Sequence, residues 1–163
     1  MLAEALVELL ETASLTNITV VVFDLDMCLG PYPGWDHAHQ RLDQYVDRPH
    51  EIRNTVNALK KRGITCVLIS RNLGFCDPYF EASAKQVWDV LGMRSARNAR
   101  IRNIPKTMMI NAHPSTVLLI DDTEKECTMA KSVGSVAFHV EYPMMDRIYH
   151  LDFKVHAGQR DVI

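Results

Sequence analysis

The sequence predicts an α/β fold in which a mainly parallel sheet lies between helices, and three observations carry that expectation. Apolar, β-branched runs recur at ITVVVF (18–23), ITCVLI (64–69), TVLLI (116–120) and SVAFHV (135–140). They lack the alternation of apolar and polar residues that a half-exposed strand shows, so both faces of the sheet are expected to be covered. Stretches with helical spacing separate the runs, which makes βα units and a three-layer, Rossmann-like arrangement the natural reading. The length of 163 residues, 47% hydrophobic and 23% charged, suits one domain over 1–163 that buries its own core.

Each element follows from local pattern. MLAEALVELLETASL places leucines at helical spacing, and Glu4, Glu8 and Glu11 disqualify it as a signal segment or membrane span. A helix over 1–16 packed on the body is expected. Residues 29–49 hold three prolines and two glycines and read as a long loop over the mouth of the sheet. HEIRNTVNALKKRG (50–63) aligns Ile52, Val56 and Leu59 and stops at Gly63, as a helix does. PYFEASAKQVWDVLG (78–92) is a second helix closed by Gly92, and DTEKECTMAKSVG (122–134) a third, with acids at its start and Gly134 at its end. IRNI (101–104) reads as a minor strand.

The formal net charge of −2 comes without a sustained basic run, so nothing indicates a nucleic-acid partner. Four cysteines without a CxxC pair point to reduced thiols in a cytoplasmic setting rather than a disulfide framework or zinc site. Trp88, the methionines and Cys66, Cys76 and Cys127 read as core. His37 and His39 lack a matching ligand set and read as loop residues. Arg94, Arg97, Arg100 and Arg102 form a modest basic patch, ordinarily a solvated surface.

Polar clusters fall where the strands end: Asp24 and Asp26 after the first, Ser70-Arg71-Asn72 after the second, and Asp121-Asp122 after the third. Open α/β sheets bind ligands at that rim, and an oxygen-rich donor set suits Mg²⁺ rather than zinc. Because strand side chains alternate, Asp24 and Asp26 can share a pocket only if the backbone leaves β geometry directly after Asp24. A tight turn is expected there.

VVVFDLDMC, CVLIS, a lysine and VLLIDD, in that order over residues 18–126, resemble the motifs of the haloacid dehalogenase-like phosphatase superfamily. FDLDMCLGPYPGWDHAH and LISRN are similar to the capless eukaryotic magnesium-dependent phosphatases, and no stretch is long enough for a large cap domain. The resemblance implies Asp24 as nucleophile forming an aspartyl-phosphate and Asp26 as general acid and base. It implies Mg²⁺ held by Asp24, the Asp26 backbone carbonyl and Asp122, with Asp121 behind them and Glu126 on a ligand water. Ser70 and the backbone N–H groups of Arg71 and Asn72 would bind the phosphoryl oxygens. Lys106, before the strand that ends in Asp121, is the expected cation and fits better than Lys125 or Lys131. An open site admits a phosphorylated protein side chain such as phosphotyrosine or a small sugar phosphate, with Trp35, Asp36 and His39 as substrate contacts. Cys28 departs from the family's Thr or Val and weakens a turn-steadying hydrogen bond. It leaves open the alternative of a non-catalytic binding module or a phosphoryl carrier in a larger assembly.

Overall fold

A computed structural model of the chain describes residues 17–31, 34–36, 39–72, 79–97, 99–142 and 154–156, together with residues 4, 6–8 and 11. Strand β1 (Val20–Phe23) occupies an inner position of a six-stranded sheet. It is flanked on one side by β2 (Thr65–Leu68) and then β3 (Arg94–Ser95), and on the other by β4 (Val117–Asp121), β5 (Val136–His139) and β6 (Lys154–His156). The order is β3-β2-β1-β4-β5-β6. The first five strands are parallel and β6 runs antiparallel to β5. Phe23 stands opposite Leu68 on one neighbour and Ile120 on the other, which brings the three strand ends level.

Successive strand residues face opposite layers, and each layer has its own apolar cover. Val21, Phe23, Leu118 and Ile120 pack with Ile52, Val56 and Leu59 of α2 (Pro49–Lys61) and with Val87 and Leu91 of α3 (Phe80–Leu91). Val22, Leu119 and Ala137 meet Cys127 and Ala130 of α4 (Glu124–Ser132) on the other face. A short α1 (Leu42–Tyr45) precedes α2. Residues 4, 6–8 and 11 are helical with Leu6 buried and the glutamates exposed, as an amphipathic segment requires. Gly92 ends α3 in the left-handed region at φ 70°, where a side chain would be strained. Among the described residues no helix is long and apolar enough to cross a membrane.

Three expectations need correction. Residues 101–104 form a turn rather than a strand, with the Ile104 N–H donating to the Ile101 carbonyl at 3.3 Å. Its carbonyls are claimed by the Arg71 side chain, described below, instead of by a neighbouring strand. Trp88 is 50% exposed, because it lies one step round α3 from the Val87 and Leu91 stripe. The methionines divide, Met93 buried and Met108 exposed.

Cys28, Cys66 and Cys127 are buried free thiols, while Cys76 and His37 lie outside the described residues. Burial pushes the Cys66 thiol up to about 12. A group whose pKa is raised by folding stabilises fully below its unfolded value and loses that contribution as the pH climbs toward the folded one. Stability should therefore fall between about pH 9 and pH 12, by about 1 kcal/mol from this thiol alone at pH 10. Urea unfolding of Cys66→Val at pH 8 and pH 10 checks it, since the variant should lose less stability than the wild type over that interval.

Candidate active site

The chain moves outward in one direction from β1 to β2 and β3, then returns to the other side of β1 to form β4. A ligand crevice forms at such a reversal, between the carboxyl ends of β1 and β4. Asp24 follows Phe23 there, and Asp121 is the last residue of β4. The Asp24 N–H is bonded to the Ile120 carbonyl at 3.0 Å, so the strand's rigidity reaches the carboxylate.

Directly after Asp24 the backbone winds into a turn, as the pair of acids requires. The Leu25 carbonyl accepts from the N–H groups of Cys28 (3.2 Å), Leu29 (3.0 Å) and Gly30 (3.0 Å), and Met27 adopts φ 59°. Leu25 thereby turns into the core while Asp24 and Asp26 line one cavity of about 430 Å³. Cys28 is fully buried below the turn, with Sγ 3.9 Å from the Ile120 carbonyl. Burial, with the Asp24 and Asp121 charges adding, holds its thiol well above the ordinary value and keeps it neutral. The residue that departs from the motif is a packed, unreactive side chain.

Lys106 is 2% exposed and sits between two acids, with Nζ 2.9 Å from Asp24 Oδ1 and 2.7 Å from Asp121 Oδ2. Burial works against its charge, yet the two carboxylates outweigh burial and hold the ammonium above the ordinary lysine value. Asp121 spends its other oxygen on the Thr123 N–H (3.0 Å) and hydroxyl (2.9 Å), which braces the start of α4. Asp122 is half-buried and faces the cavity. Ligand oxygens of Asp24, Asp121 and Asp122 all lie within 4.8 Å of one another. Burial pushes the Asp24 carboxyl well up, with Lys106 opposing and Asp121 adding, and burial likewise raises Asp122. Three clustered carboxyl groups share a single ammonium, and an oxygen donor set of this kind suits a divalent cation. With Asp121 already committed, Asp24 and Asp122 are the carboxylates left to hold one.

Ser70, at the end of β2, is 3% exposed and lines the same cavity with Arg71 and Asn72. The Asn72 N–H donates to Ser70 Oγ at 3.3 Å, a long bond. The Arg71 side chain has a separate task. Its guanidinium donates to the carbonyls of Ala99 (3.0 Å), Ile101 (2.8 Å) and Ile104 (2.9 Å) and to both oxygens of Glu126 (2.7 Å each). All five N–H groups are used, tying β2, the segment before Lys106 and α4 into one frame. Glu126 is held by Arg71 and also lines the cavity.

The loop of residues 29–49 also differs from expectation. Trp35 is buried in the core and donates through Nε1 to the Gln40 carbonyl at 2.9 Å, while Asp36 and His39 face each other at 3.1 Å on the surface. These three do not line the cavity. The loop acts instead through Tyr45, which the sequence reading passed over. Tyr45 Oη lies 2.6 Å from Asp26 Oδ1 and also meets the Pro31 carbonyl, and Asn72 Nδ2 donates to Asp26 Oδ2. Gly30 was the signal that could have pointed to Tyr45. A Cβ at Gly30 would collide with the tyrosine ring, so that approach requires glycine. Gly30→Ala should cost about 1–3 kcal/mol through overpacking and should dislodge Tyr45 from Asp26. Thermal unfolding checks the first effect, and an unchanged midpoint counts against the packing.

No protein-family model and no curated protein matches the chain. Among solved structures it is similar to an uncharacterized protein from Corynebacterium glutamicum ATCC 13032 Kitasato, at 19% identity and a TM-score of 0.53, covering 82% of this chain and 91% of that one. That likeness is one of fold. An uncharacterized protein from Listeria monocytogenes serotype 4b is 16% identical with a TM-score of 0.47, covering 74% of this chain and 76% of that one.

Proposed function

We propose that the chain is a Mg²⁺-dependent phosphomonoester hydrolase of the haloacid dehalogenase-like type, working through an aspartyl-phosphate on Asp24. The observation that carries the reading is the group of buried Asp24, Lys106 and Asp121 with half-buried Asp122 at the sheet's reversal point, and Asp26 in the same cavity. The Asp24 and Asp122 carboxylates and the Asp26 backbone carbonyl would hold Mg²⁺, which would supply the charge screening that lets a carboxylate approach a phosphate dianion.

The chain's own residues supply the rest. A carboxylate oxygen of Asp24 attacks phosphorus, the bond from phosphorus to the ester oxygen breaks, and the Asp26 carboxyl gives that oxygen its proton. Asp26 then takes a proton from water, whose oxygen attacks phosphorus and releases the Asp24 carboxylate. For Asp26 to act as an acid, one of its two hydrogen bonds must yield. Asn72 is exposed whereas Tyr45 is fixed by packing, so the Asn72 contact is the one that gives way. Lys106 uses two N–H groups on acids and keeps a third for a phosphoryl oxygen, beside the Ser70 hydroxyl. The substrate is a phosphorylated small molecule or a phosphorylated protein side chain.

The test is hydrolysis of an aryl phosphate with purified protein. Turnover should drop at least about a hundredfold on chelation and return with Mg²⁺. Background rates at every pH from about 5 to about 8 with Mg²⁺ present would sink the reading. A stable covalent phosphoryl adduct without turnover would mark a carrier instead.

A further inference from the structure

Four cations line the cavity: Arg71, Arg102, Lys106 and Lys125. Arg71 is spent on Glu126 and three carbonyls, and Lys106 on Asp24 and Asp121. Arg102 and Lys125 are both exposed and, among the described residues, have no acidic partner. Two other arginines of the basic patch are placed differently. Arg97 pairs with Glu81 over the Phe80 ring, and Arg94 lines a separate groove beside Trp88.

We propose that Arg102 and Lys125 form a subsite for a second anion, so that the substrate is a phosphomonoester bearing a further carboxylate or phosphate group. The proposal rests on the cavity being a phosphomonoester site, as argued above. Arg102 sits in the turn of residues 101–104, and the Arg71 guanidinium grips the carbonyls of Ile101 and Ile104 on either side of it. An exposed arginine on a clamped backbone is presented to the cavity, and less ordering remains to be done when an anion arrives. Lys125 lies in the first turn of α4, where the helix dipole favours acids over cations. Its position costs local stability and is offset if an anion binds there. A phosphoryl group fills only a fraction of about 430 Å³, and Met27 and Met129 line the wall as apolar cover for the body of a larger substrate.

Calorimetry with non-hydrolysable phosphonates tests this, using benzylphosphonate, 4-carboxybenzylphosphonate and a para-xylylene bisphosphonate, with Mg²⁺ present. The wild type should bind one or both doubly anionic compounds about tenfold more tightly than benzylphosphonate, a ratio that shrinks as salt rises. Whichever compound gains more names the anion. In the double variant R102Q/K125Q the ratio should fall to about one. Equal affinities in the wild type, a preference that survives in the double variant, or no binding of any phosphonate would each overturn the subsite. Turnover of phenyl phosphate is measured beside it. A preference without turnover leaves the subsite standing and removes the hydrolase reading, whereas turnover without a preference does the reverse.

Discussion

Asp24→Asn should abolish phosphatase turnover, by more than about a thousandfold, while the protein stays folded. The amide is nearly isosteric with the carboxylate, so packing at the end of β1 is kept. What disappears is the proposed nucleophile. Stability should change little, because burial already disfavours the Asp24 charge and Lys106 retains Asp121 at 2.7 Å. Rates on an aryl phosphate and thermal midpoints of both proteins give the comparison. Borohydride trapping adds a second readout, since an acyl phosphate on Asp24 is reduced to an alcohol that mass spectrometry locates. Turnover within a few fold of wild type would remove Asp24 from the proposed role, however well the cavity is built.

Much of the frame that places Asp24 was legible in the sequence, because both its signals are local. Four apolar runs gave four inner strands, and acids at their ends gave the cavity wall. Lys106 was singled out by the resemblance, and the structure seats it between Asp24 and Asp121. What the sequence hid depends on contacts between distant residues. Arg71 reaches carbonyls roughly thirty residues away and Glu126 fifty-five residues away, and no local pattern encodes such a clamp. The 101–104 turn was misread for the same reason, since its apolar ends resemble a strand until a guanidinium takes its carbonyls. Tyr45 meets Asp26 across nineteen residues of irregular chain, where no periodicity marks which side chain turns inward. β6 was not foreseen because KVH is too short a run to carry a pattern.

Lys106→Met should be the costliest single change at this site for stability, and it should lower activity as well. Methionine matches the lysine stem in shape but removes the charge that Asp24 and Asp121 share. Two carboxylates, 7% and 1% exposed, then face each other without a cation. Breaking a buried ion pair from one side costs about 3–5 kcal/mol, because the remaining charge is left uncompensated. The loss should depend on pH in a definite direction. Burial raises the Asp24 pKa even with Lys106 present, and removing the ammonium raises it further. A carboxyl raised by folding favours the folded state while protonated and loses that contribution as the pH rises through its folded value. The variant's deficit should therefore be largest near pH 8 and shrink as the pH falls and Asp24 takes up a proton. Urea unfolding of both proteins at pH 5 and pH 8 measures it, and a deficit that is the same at both would mean that Lys106 acts through packing alone. Turnover should fall by at least about a hundredfold near pH 7, because the cation proposed to face the phosphoryl oxygens is gone and the protonated fraction of Asp24 has grown. If activity held while stability dropped, Lys106 would be a structural counter-ion, and the charge opposing the phosphoryl group would have to come from Arg102 or Lys125.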